Sequence, residues 1–258
     1  METSVLLLGT GYTGTVTAAA LRRDGRRVMT TSRQGLAPDT IRFTLDDPST
    51  WDALPVAEAC VWLFPAEPLS LVDAFARRFP SRFPSFVVIG TTSSYVVETS
   101  GALVDETAPL DHRLERVQGE EALRDGGARV LRSAGIYGPP VHLLPARNPL
   151  DWLRRGLIRD GEKIVNLIHV EDLAAAIIAA LRSPLRGEDF IVSDGQPRRW
   201  KDIVAWGNEH GYLRVGDLPD RGGRGSKRLS TGKMQRLLAP PMIHRDLWTE
   251  LELLEKKS

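Results

Sequence analysis

Three glycines carry the first chemical hint. In "SVLLLGTGYTGTVTAAALRRDG", Gly9, Gly11 and Gly14 keep the spacing G-x-G-x-x-G between an apolar run and a helix-like segment. In such a bend the first glycine permits the tight turn, the second lets backbone approach a diphosphate, and the third lets helix and strand pack closely. Tyr12 and Thr13 complete the bend, where a helix start offers unpaired N–H groups and its dipole to an anion. The spacing predicts a bound dinucleotide, against the plainer alternative of a structural turn.

The next apolar run selects between dinucleotides. An NAD site usually ends that strand in Asp or Glu, which accepts from the ribose 2′-hydroxyl. Here the stretch is "VMTTSRQG", with Ser32 and Arg33 at the position and no carboxylate before Asp39. A hydroxyl and a guanidinium fork suit a 2′-phosphate, so NADP is expected ahead of NAD; the alternative is an Arg33 that merely lies on the surface. Asp46, near the end of "IRFTLDD", is a candidate for the adenine amine, although capping the helix at Pro48 would satisfy it equally well.

Stepping along the chain, short apolar runs alternate with helix-length segments, the pattern of parallel strands joined by crossover helices. Strands are expected at Val5–Leu8, Arg27–Thr31, Ile41–Thr44, Ala59–Phe64, Phe86–Ile89 and Arg129–Leu131, and helices at Gly14–Arg23, Leu69–Arg78 and Leu110–Arg124. The expected fold is α/β, a doubly wound parallel sheet of the Rossmann type, in a single domain of 1–258. From Tyr137 the texture becomes proline-rich, and a small C-terminal substrate-binding lobe, loop-rich, is expected mainly from 138–165 and 195–245. "IHVEDLAAAIIAALRSP" resumes a strand and helix, where Asp172 is expected to serve the helix start and His169 to pack. The basic loop "RGGRGSK" reads as a mobile connection, or as a clamp over an anionic substrate.

Composition narrows the function classes. The chain has 258 residues, 42% hydrophobic and 26% charged, with a formal net charge of +1, so neither disorder nor a global argument for nucleic acid is supported. No run is long enough to cross a bilayer, and the N-terminus, lacking a basic region, reads as a buried strand and not a signal peptide. The single cysteine, Cys60, cannot form an internal disulfide and fits a reducing cytoplasm. The five histidines show no metal-ligand spacing, so no metal is expected. Assembly reads as monomer or homodimer.

The motifs resemble the short-chain dehydrogenase/reductase superfamily, in its extended or atypical branch of epimerase/dehydratase-like proteins. Four blocks in order carry the resemblance across most of the chain: "GTGYTG", "VVIGTTSSYVV" at 87–97, "VLRSAGIYGPP" at 130–140 and "IHVEDLAAAIIAAL" at 168–181. It implies an NAD(P)-dependent oxidoreductase or epimerase passing hydride between the nicotinamide and a carbonyl or carbinol carbon of a small-molecule substrate. Thr91 would hydrogen-bond the substrate oxygen, Pro65 and Ala66 would meet the nicotinamide ribose through backbone, and Tyr137 would border the carboxamide or simply pack.

One departure is serious. Family enzymes carry Tyr-x-x-x-Lys at the start of the helix read here from "LDHRLERVQGEEALR"; aligned on Gly119 and Glu120, His112 takes the Tyr place and Arg116 the Lys place. Histidine can exchange a proton near neutral pH and arginine can hold ribose hydroxyls. Tyr95 is a third proton-donor candidate. The opposing readings are a solvated helix face and a non-catalytic NADP-binding sensor or scaffold. Arg132, Arg147, Arg154, Arg155, Arg198 and Arg199 lie in or near the lobe; some would meet a phosphate or carboxylate, and most are expected to be plain surface.

Overall fold

The side chains of the first strand already separate two faces. In β1 (Ser4–Leu8) every residue is buried, with Val5 and Leu7 in one apolar cluster and Leu6 and Leu8 in another. The two-residue period of a strand sends alternate side chains to opposite faces, so a run apolar at every position must be covered on both. The computed structural model describes residues 4–35, 40–79 and 83–256.

After β1 come α1 (Tyr12–Arg23), β2 (Arg27–Ser32), β3 (Thr40–Arg42), β4 (Ala59–Trp62), α2 (Leu69–Arg78) and β5 (Ser85–Thr91). A short β6 (Ala102–Val104) precedes α3 (Glu115–Asp125), β7 (Arg129–Ser133), β8 (Gly135–Tyr137) and α4 (Pro149–Arg154). Then follow β9 (Ile164–Val165), β10 (Leu167–His169), α5 (Val170–Arg182), β11 (Asp189–Val192), β12 (Arg198–Arg199), α6 (Trp200–Glu209), β13 (Lys227–Leu229), α7 (Gly232–Leu237) and α8 (Leu247–Lys256).

Seven strands form one parallel sheet in the order β11-β7-β5-β4-β1-β2-β3. Strand β1 pairs with β2 on one side, Leu6 beside Met29, and with β4 on the other, Leu6 beside Cys60. The winding reverses there, and the carboxyl ends of β1 and β4 open a crevice between outgoing loops. Helices α1 and α5 cover one face, where Ala18, Leu21, Leu173 and Ile177 meet Val5 and Leu7. On the other face Val72 and Phe75 of α2 join Trp51, Trp62 and Cys60, the Phe75 ring standing edge-on to both tryptophans. A third core, with Tyr137, Leu150, Trp200, Ile203, Leu247 and Leu251, builds the region after the sheet. Among the described residues no helix is long and apolar enough to cross a membrane.

Three local expectations need correction. The helix read from Leu110 begins at Glu115, because Leu110 bridges Tyr95 and the Asp111 N–H donates to the Ser94 carbonyl, drawing 110–114 out as a turn. The short 3-10 helix at Pro48–Ala53 is capped by Asp47, which accepts from Ser49 N–H, leaving Asp46 free of that task. At the start of α5 it is His169 that caps, accepting from Glu171 N–H, while Asp172 accepts from the backbone N–H groups of Ile243 and His244. Asp39 lies outside the described residues.

Glycine packing is strict at two crossings. A Cβ on Gly14 would overlap the Gly9 carbonyl, and one on Gly119 would overlap the carbonyl of Ala66. Gly119→Ala is therefore expected to cost about 1–3 kcal/mol through overpacking. Gly216→Ala, whose added carbon meets nothing within 4 Å, should leave the urea midpoint in place. Equal midpoints for the two variants would contradict the close approach of α3 to the loop at Ala66.

Candidate functional site

The crevice at the sheet reversal is lined first by the glycine bend. Gly9 takes φ +95°, a conformation that favours glycine, and its N–H donates to Thr31 Oγ1 at 3.0 Å, while Thr10 Oγ1 donates to the Thr31 carbonyl. The bend is thereby tied to the end of β2. Gly11 stands at the start of α1 with no side-chain cap, and a Cβ added there meets nothing within 4 Å. Its surroundings leave room for a ligand against the first-turn N–H groups.

From this bend a cavity of about 970 Å³ runs toward β2 and β3, lined by Gly9, Gly11, Ser32, Arg33, Asp46 and Glu67 among others. Ser32 Oγ accepts from Gly35 N–H at 2.9 Å, which leaves its own hydrogen to donate outward. Thr44 Oγ1 donates to Asp46 Oδ1. Glu67, on the loop after β4, was not singled out in the sequence, because no motif marks it.

A second cavity of about 350 Å³ shares Phe64 with the first and continues across the sheet. Thr13, Pro65, Thr91, Arg116, Ser133 and Arg147 line it. Thr91 ends β5, and its Oγ1 lies 2.8 Å from Ser93 Oγ. Arg116 comes from the first turn of α3, and its Nε donates to Glu120 Oε1 at 3.0 Å. Glu120 is fully buried, and burial pushes its carboxyl up against the pull of Arg116 and Arg132. Arg132, also fully buried, pairs with Glu121 at 2.6 Å and with Asp189, and lies 3.6 Å from Glu120. Arg147 lies over the Tyr12 ring, 4.9 Å from its centroid, and pairs with no carboxylate among the described residues. Tyr12 donates to the Pro139 carbonyl at 2.8 Å, and burial raises its pKa to about 12, so it stays protonated.

The remaining candidates are dispersed. Ala66 is buried against Gly119, and Tyr137 is fully buried in the third core, edge-on to His169. His112 is exposed in the turn before α3, its carbonyl accepting from Gln118 Nε2 at 2.6 Å, and it lines neither cavity. Tyr95 is buried between the Arg132 guanidinium and the Lys227 ammonium, 5.6 and 5.9 Å from its ring centroid. Burial holds its hydroxyl well above the usual phenol range. It borders a third cavity of about 400 Å³ together with Ser93, Lys163 and Lys227, and does not border the one at Thr91. Of the lobe arginines only Arg147 reaches the Thr91 cavity: Arg154 pairs with Asp151 and Glu255, and Arg198 with Asp194.

The arrangement is that of a known class of fold. No family model matches the chain. Protein YeeZ of Escherichia coli (strain K12) is 31% identical over 138 residues, 50% of this chain and 46% of that protein. The chain spans about half the length of the curated relatives it matches. A putative epimerase from Burkholderia cenocepacia J2315 superposes with a TM-score of 0.80 at 18% identity, covering 99% of this chain and 97% of that one. MoeE5 in complex with UDP-glucose and NAD gives 0.77 at 19% identity, covering 98% and 97%. The protein has the doubly wound fold of these epimerase and short-chain dehydrogenase/reductase structures.

Gly11→Val would fill the space in front of the α1 N-terminus. It should cost about 1 kcal/mol or less in stability, as an altered cap does, while closing those N–H groups to an anion, checked by fluorescence titration with a reduced nicotinamide dinucleotide. Unchanged affinity would remove the bend from the binding site.

Proposed function

We propose that the protein binds NADP in the crevice and passes hydride between the nicotinamide and a carbonyl or carbinol carbon, as an oxidoreductase or epimerase of the short-chain dehydrogenase type. The observation that carries the reading is the crevice itself: two cavities sharing Phe64, one at the uncapped start of α1 and the other at Thr91 and Arg116. Helix N–H groups at a strand-order reversal suit a diphosphate, and the two arms suit its two nucleosides. Ser32 and Arg33 support a 2′-phosphate, and Asp46 supports the adenine amine. The epimerase among the structural relatives, and the UDP-glucose and NAD held by MoeE5, support the cofactor class and a sugar-like substrate.

At the reacting end, Thr91 orients the substrate oxygen and Arg116, steadied by Glu120, anchors the nicotinamide ribose beside the Pro65 backbone. Arg147 favours a substrate with an anionic group, and the lobe from 138–165 and 195–245 covers it. Bound NADP supplies the hydride chemistry. Reduction also needs a proton on the substrate oxygen. The described residues lining that cavity include no histidine or carboxylate, so the Thr91–Ser93 hydroxyl pair relays it from water. A second reading is a sensor that binds NADP without turnover, supported by the absence of Tyr and Lys from the Tyr-x-x-x-Lys places at His112 and Arg116. Cys60, single and buried, supports a cytoplasmic setting.

Titration with NADPH and NADH tests the cofactor, and nicotinamide absorbance against a panel of carbonyl compounds tests the chemistry. NADPH should bind at least about tenfold tighter, as loss of one charge-assisted contact implies, and Arg33→Ala should erase the difference without weakening NADH. Equal affinities in the parent protein would remove NADP. Tight binding with no absorbance change would establish the sensor.

A further inference from the structure

Two histidines far apart in sequence meet outside the crevice. His169 ends β10, His244 lies in the segment before α8, and their rings stack with centroids 3.8 Å apart. Glu171, in the first turn of α5, brings its carboxylate to 3.0 Å from His244 Nε2. One ligand atom from each of His169, Glu171 and His244 lies within 4.8 Å of the others. The geometry points to a divalent transition-metal site formed by these three side chains, filled by Zn²⁺ or a cation of like ligand preference.

Four observations support it. Two imidazoles and one carboxylate are a donor set that suits Zn²⁺ and is poor for Mg²⁺ or Ca²⁺, which prefer oxygen alone. His244 Nδ1 lies 2.8 Å from Glu250 Oε1, the outer carboxylate that commonly orients a ligating imidazole by taking its other N–H. Asp172 accepts from the N–H groups of Ile243 and His244 at 3.0 Å each, fixing the backbone that carries the second histidine. His169 is 2% exposed and Glu171 is exposed, so the site opens to solvent on one side, where water would complete the coordination.

The position suggests what the ion does. His169 is edge-on to Tyr137 and abuts Gly138, whose backbone pairs in both directions with Arg147. A cation bridging His169 to His244 would pin the segment before α8 to the loop that presents Arg147. Its role is structural.

The full chain, stripped with EDTA and dialysed, is titrated with ZnCl₂, with CoCl₂ as an optical probe and MgCl₂ as a contrast. One Zn²⁺ per chain and a raised melting temperature are expected, with visible cobalt bands of low-symmetry N/O coordination and no response to Mg²⁺. Glu171→Gln, at an exposed position that does not threaten folding, and His244→Gln should each weaken Zn²⁺ about 10–100-fold or more, by analogy with losses at ligand-supporting positions. His210→Gln, an exposed histidine elsewhere, should bind as the parent does. No stoichiometric Zn²⁺ in the parent, or equal retention by the parent, Glu171→Gln and His244→Gln, would overturn the site.

Discussion

The crevice at the sheet reversal is built around the unpaired N–H groups at the start of α1. A helix start leaves such groups unsatisfied, and here Gly11 supplies no side chain to cap them. The bend is held in place by strict packing: Gly9 in its left-handed conformation, its N–H on Thr31, and Gly14 against the Gly9 carbonyl. The sheet reversal between β2 and β4 clears the space in front. Neither feature suffices alone, since a reversal without a free helix start lacks donors, and a free helix start elsewhere lacks a crevice.

A second constraint reaches from the sheet to the far end of that crevice. Arg132 on β7 is buried among Glu120, Glu121 and Asp189, and Glu120 in turn holds Arg116. Removing one member of such a network leaves buried charge uncompensated, at about 3–5 kcal/mol, so it resists rearrangement. The carboxylate also sits close against Gly90, where a Cβ would collide with it. The orientation of Arg116 is thus set by α3, β5 and β7 together.

The sequence made the sheet legible wherever local pattern decides structure. The runs at Val5–Leu8, Ala59–Phe64 and Phe86–Ile89 are apolar at consecutive positions because helices cover both faces, and α2 keeps its expected bounds at Leu69–Arg78. The glycine bend was equally plain, since its spacing is a backbone requirement. What depended on distant partners was not legible. Leu110 leaves the expected helix for a bridge to Tyr95, and this carries His112 onto an exposed turn. Arg132, read among arginines of the lobe, is buried by carboxylates from α3 and β11. His169 and Asp172 exchange expected tasks because the segment at 243–244 folds back over them. Periodicity cannot report such contacts, for they join elements that lie far apart in the chain.

The central claim is that backbone amides at the glycine bend grip a diphosphate. A crystal structure of the protein grown with NADPH tests it most directly. The diphosphate is expected within hydrogen-bond distance of the N–H groups at 11–13, the 2′-phosphate against Ser32 and Arg33, and the nicotinamide between Thr91 and Arg116. Nucleotide bound elsewhere, or a crevice left without nucleotide at saturating NADPH, would contradict it.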